Sequence, residues 1–85
     1  MLLVTKGYKM YAYVFDPKDG ELLQTYVAED DLSPCTYANM YAAENDCSID
    51  DDGFVPDGSG DIEVRVAEEP YSVRCWASQS YYLTF

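Results

Sequence analysis

Hydrophobic and polar residues change period several times along the chain, and each change marks an element. In "MYAYVFD", Met10, Ala12 and Val14 alternate with Tyr11, Tyr13 and Phe15. The turn-forming "PKDG" follows, and then a second extended run, "ELLQTYVA". A strand, a tight turn and a returning strand are predicted there. In "LSPCTYANMYAAEND" the spacing lengthens to three and four: Ser33 suits a cap, Pro34 the first helical position, and Tyr37, Ala38, Met40, Tyr41 and Ala42 recur as on one helix face. One helix of about three turns follows from that spacing. In "DIEVRVAEE" the period returns to two, with Ile62, Val64 and Val66 facing one way and Asp61, Glu63 and Arg65 facing a wet side. After a turn at Pro70, "SVRCWASQSYYLTF" supplies one long bent strand or two short ones, and "LLVT" near the start is a candidate edge strand.

These elements predict an α+β fold: a largely antiparallel sheet of four to six strands in ββαββ-like order, with one helix covering its apolar face. At 85 residues the chain has material for a single domain, 1–85. Its one low-complexity stretch is an acidic Gly/Asp-rich segment at about 46–60, read as a solvated loop between helix and strand.

Composition is ample for a core, at 48% hydrophobic and 15% aromatic, so the net charge of −11 does not by itself imply disorder. The opening apolar run is too short for a signal-peptide core, and no stretch is long enough to span a bilayer. A cytoplasmic location is expected, with Cys35, Cys47 and Cys75 reduced and serving as small buried or half-buried residues.

Charge changes the picture most. Between Lys18 and Arg65 there is no cation, yet thirteen of the sixteen acids lie there: Asp19, Glu21, Glu29, Asp30, Asp31, Glu44, Asp46, Asp50, Asp51, Asp52, Asp57, Asp61 and Glu63. A solvated face explains any one cluster. It explains the whole span less well, because ordinary surfaces mix signs to offset repulsion. Carboxylates present the planar acceptors that Arg and Lys grip in phosphate. On a strand, Asp61 and Glu63 would stand roughly 6.5 to 7 Å apart, similar to the phosphate step. The candidate partner-binding acids are therefore Asp50, Asp51, Asp52, Asp57, Asp61 and Glu63, with Glu29, Asp30 and Asp31 at the approach to the helix. Nine tyrosines exceed the needs of a small core. Tyr11, Tyr13, Tyr37 and Tyr41 suit packing, while Tyr8, Tyr26, Tyr71, Tyr81 and Tyr82 suit partial exposure, and Tyr26, Tyr71 and Tyr81 are the candidate aromatic contacts.

Other chemistries fit poorly. With no histidine, the usual proton shuttle and nitrogen metal ligand are missing, and the cysteines lie in acidic or apolar company that opposes thiolate formation. No enzymatic activity, cofactor or metal is expected. An EF-hand reading with Gly53 at its sixth position places Asp50 and Asp52 correctly, but Ser48 and Ser59 occupy the first and twelfth, where the anchoring acids belong. A looser calcium site from Asp50, Asp52, Asp57 and Asp61, in an acidic structural or calcium-binding accessory domain, is the alternative. Direct binding to nucleic acid or an anionic membrane is opposed by the charge. A monomer or weak homodimer is expected.

In small size, acidity, lack of histidine, tyrosine content and α+β pattern, the whole chain resembles the small inhibitors that phages and mobile elements direct against host defence, of the anti-CRISPR and anti-restriction kinds. The resemblance is compositional, and no motif carries a residue over. It implies a non-enzymatic, stoichiometric inhibitor acting by nucleic-acid mimicry, whose partner is a basic nucleic-acid-binding protein or nuclease complex. For a phage-encoded chain the location would be the host cytoplasm.

Overall fold

A computed structural model describes residues 10–28, 33–56, 58–68 and 75–85, apart from the side chains of Asp52, Phe54, Cys75 and Trp76. Five strands and one helix follow in the order β1 (Met10–Phe15), β2 (Leu22–Ala28), α1 (Pro34–Glu44), β3 (Ser48–Val55), β4 (Ile62–Glu68) and β5 (Cys75–Thr84). The strands form one curled sheet in the order β2-β1-β4-β5-β3, and every neighbouring pair is antiparallel. The class is α+β, as the pattern predicts, but the order is ββαβββ. The additional strand is β3, which lies inside the acidic segment read as a loop. The candidate strand "LLVT" falls outside the described residues.

The helix carries the chain from one edge of the sheet, β2, to the other, β3, and packs over β4, β3, β5 and β1 on the way. Its buried side is Pro34, Tyr37, Ala38 and Ala42, spaced three and four apart, and the alanines let its backbone approach the sheet closely. Under it lie Ala12, Val14, Ile62, Val64, Val66 and Tyr81, all nearly or wholly inaccessible. Burying each Val or Ile side chain contributes about 1.5–3 kcal/mol, so this layer dominates stability. Met40, placed by its spacing on the buried stripe, is exposed instead. Pro34 is at the helix start as expected, while Ser33 is extended and makes no side-chain cap.

The helix stops in a specific way. Cys47 N–H donates to the Ala42 carbonyl at 2.9 Å and Asp46 N–H to the Ala43 carbonyl at 3.4 Å, the paired bonds of a Schellman cap. Asp46 sits at its left-handed position, φ 58°, where glycine is usual.

The second face of the sheet carries no described helix. There the register sets Tyr13 beside Arg65 and Ser78, and Phe15 beside Glu63 and Ser80. The Arg65 guanidinium lies 4.9 Å from the centre of the Phe15 ring. This face of β4 is therefore not wet. As the central strand it is crowded from both sides, and Glu63 is buried.

Candidate functional site

Strand register determines which acids meet. Phe15 pairs with Glu63, and Ile62 with Tyr81, so the β1–β2 turn, the start of β4 and the end of β5 share one end of the ladder. β3 enters at that same end, Ser48 opposite Thr84. Asp16, Asp19 and Glu21 of the turn, Asp61 before β4, Asp46 at the helix exit and the aspartates of β3 are thereby collected from four separate parts of the sequence. Among acids on the described strands, Glu68 is the one at the opposite end.

The triple aspartate takes an unusual form. Ile49 pairs with Leu83 and Phe54 with Tyr81, so Asp50, Asp51, Asp52 and Gly53 stand opposite the single residue Tyr82. Four residues against one make a large bulge, which Gly53 closes in the left-handed region at φ 70°. Asp51 is exposed and Asp50 half-buried, the Asp50 carboxylate accepting from Asp51 N–H at 2.7 Å. Across Tyr82 from the bulge, exposed Asp61 accepts from Leu83 N–H at 2.8 Å, while its own N–H donates to the Tyr81 carbonyl. That carboxylate both ties β4 to β5 and adds to the negative end.

The hairpin turn is fixed by its own acids. Asp16 accepts from Lys18 N–H and Asp19 from Glu21 N–H, each at 2.9 Å, which orders both carboxylates in a turn of three acids and one cation, Lys18. Beneath Asp61, Gly60 crosses the Tyr81 backbone so closely that a Cβ would lie 2.5 Å from the Tyr81 carbonyl oxygen. Its N–H donates to Ser80 Oγ at 2.8 Å, and Ser80 in turn donates to the Ile62 carbonyl at 3.2 Å. Gly60 and Ser80 thus hold the start of β4.

Two candidate contacts are corrected. Glu63 is not on a partner-facing row: its carboxylate accepts from Arg65 Nε at 2.9 Å and from Ser78 Oγ at 2.8 Å, inside the crowded second face. Without it, the proposed phosphate-like pair with Asp61 does not form. Tyr81 faces the helix in the core at 1% exposure and donates to Gln79 Oε1 at 2.6 Å. Burial pushes its phenol well above the usual range. Tyr26 is half-buried, packed near Tyr37 at 6.1 Å between ring centres, and donates to Glu44 Oε1 at 2.7 Å. Burial, then that bond, raises its pKa strongly. Tyr82, among the tyrosines read as exposed, is exposed. Cys35 is exposed rather than buried, and Cys47 is half-buried.

Glu29, Asp30, Asp31, Asp57 and Tyr71 lie outside the described residues, as does the Asp52 side chain. The sequence reading missed Asp16 altogether and did not single out Asp19, Glu21 or Asp46, although the last three belong to the cation-free span. Their common location depends on pairing between distant strands. Among the described residues, no three metal-type ligands converge and no helix is long and apolar enough to cross a membrane. Comparison with protein-family models, curated proteins and solved structures finds no match.

Proposed function

We propose that the chain is a non-enzymatic inhibitor that presents its acidic sheet end to the basic nucleic-acid-binding surface of a nuclease complex or similar host-defence protein. The observation that carries this reading is the convergence of Asp16, Asp19, Glu21, Asp46, Asp50, Asp51 and Asp61 on one end of the ladder, held by turns and a bulge. An ordered set of carboxylates offers Arg and Lys side chains the acceptors they use on phosphate. Spread over one end of a rigid sheet, it steers a basic cleft from a distance and excludes the natural polyanion by occupancy.

A second observation supports it. Asp46 occupies a left-handed position that favours glycine and stands at a helix C-terminus, where negative charge is unfavourable. Local violations of this kind concentrate where function outweighs stability. The reading is tested by capturing partners from host lysate, identifying them by mass spectrometry, and measuring nucleic-acid loading of the captured complex. Stoichiometric loss of loading, relieved by added salt and by Asp19→Lys combined with Asp50→Lys and Asp51→Lys, is the expected result. Unchanged loading in excess protein overturns it.

A further inference from the structure

The two edges of the sheet are built differently. At β3 the ladder is broken by the aspartate bulge, a device that stops another strand from continuing the sheet. β2 carries only a one-residue bulge at Leu23, next to the turn, where Val14 pairs with Gln24 and Phe15 with Leu22, and its register with β1 is unbroken from Gln24 to Ala28. From Leu22 to Ala28 there is neither a charge nor a proline, and Gln24 and Thr25 are exposed, as are Leu22 and Val27, which are 55% and 61% exposed. Among the described residues no strand pairs with its outer side. Tyr26, through its bond to Glu44, fixes this edge to the helix. Acids flank the neutral run in the sequence, with Asp19 and Glu21 before it and Glu29, Asp30 and Asp31 after it. Beside the edge, on the second face, is an open cavity of about 310 Å³ lined by Tyr13, Phe15, Gly20 and Leu22.

We infer that the β2 edge receives an extended segment of the cationic partner, which adds to the sheet as a further strand beside β2. This rests on the reading above and states how the partner is held. Main-chain hydrogen bonds supply the attachment, and a pocket beside the edge selects a side chain. The aromatic walls of the cavity suit the methylene stem of an Arg or Lys, whose head then reaches the carboxylates flanking Gly20. A segment that is uncharged where it meets β2 and cationic where it meets Asp19 and Glu21 matches this edge. A second copy of the chain does not, since pairing would join two chains of net charge −11.

The test uses the full chain, isotopically labelled, with a synthetic peptide Lys-Arg-Thr-Val-Thr-Val-Thr-Arg-Lys and a control of equal charge carrying proline at both valines. Shifts along β2 and slowed hydrogen exchange at those of its amides that point away from β1 are expected, with the control binding at least about tenfold more weakly. Val27→Lys, on an exposed position, should weaken the peptide by about tenfold without changing the circular dichroism, and Gln24→Lys serves if that variant does not fold. Equal binding of the control, or shifts confined to the acidic turn and bulge, overturns strand addition while leaving the cationic-partner reading intact. Strand addition also fails if neither peptide binds, if the β2 amides that point away from β1 are already protected in the free chain, or if sedimentation shows two copies paired through β2. Partner capture and nucleic-acid loading then judge the cationic-partner reading separately.

Discussion

Asp46 offers a direct way to weigh charge against stability. Two variants divide its cost. Asp46→Asn removes the charge and keeps a residue at least as tolerant of the left-handed conformation, so the part of its effect that salt removes isolates electrostatics. A negative group at a helix C-terminus costs about 0.3–1 kcal/mol at low salt. No basic residue lies in the last turn of α1 to offset it, and Glu44 and Asp50 stand near in sequence. Asp46→Asn should therefore stabilise the chain by about 0.5 kcal/mol. Asp46→Gly also relieves the backbone at φ 58°, worth roughly 1 kcal/mol, less some of the greater chain entropy of glycine when unfolded. Its net gain should be near 1 kcal/mol, or about 4–8 °C in Tm for a domain of this size. Urea titrations at low and moderate salt separate the two terms: the Asn gain shrinks as salt is added, whereas the extra gain from Gly does not. If Asp46→Asn were neutral or destabilising at low salt, the view that this acid is retained against stability would be wrong.

Three further outcomes are expected. Glu63→Gln should lower stability by about 1–3 kcal/mol, moderated by the 36% exposure of the Arg65 side chain, and should leave partner affinity unchanged. Unaltered urea midpoints with lost binding would restore Glu63 to the interface. Gly60→Ala should cost about 1–3 kcal/mol, because the new methyl meets the Tyr81 backbone rather than a side chain that can turn away. An unchanged Tm would contradict that packing. Tyr26 and Tyr81 ionise in the unfolded chain near 10.0 but higher when folded, through burial first. Their contribution is whole below pH about 10 and is lost as pH rises through the folded values, so stability falls on the alkaline side. Tyr81→Phe should be less stable near neutrality through the lost bond to Gln79, yet should decline less steeply with alkali, as followed by urea midpoints. Parallel declines would refute the assignment.

Local pattern carried the β1–β2 hairpin, the helix and the alternation of β4, because each is set by short-range periodicity and turn residues. β3 was invisible to that reasoning. "SIDDDGFV" has no alternation and its centre, Asp50 to Gly53, has poor strand propensity; it is extended because the side of β5 turned away from β4 offers a ladder to join. Glu63 misleads for a related reason: its alternation with Ile62 and Val64 reads as a wet face, but a central strand beside Tyr13 and Phe15 has none. The acids of the cation-free span are plain in the sequence. Their meeting is not, since it is written in the register of β1 on β4 and β5 on β3.

That meeting is best measured by paramagnetic broadening of backbone amides with a cationic and an anionic cosolute of equal size, which reports the surface potential residue by residue. The most negative values should fall at Asp16 to Glu21, Asp46 to Gly53 and Asp61, with clearly weaker values at Gln24 and Thr25 in the exposed, uncharged run of β2. An even potential along the length of the sheet would contradict the gathering of charge on which the proposed function rests.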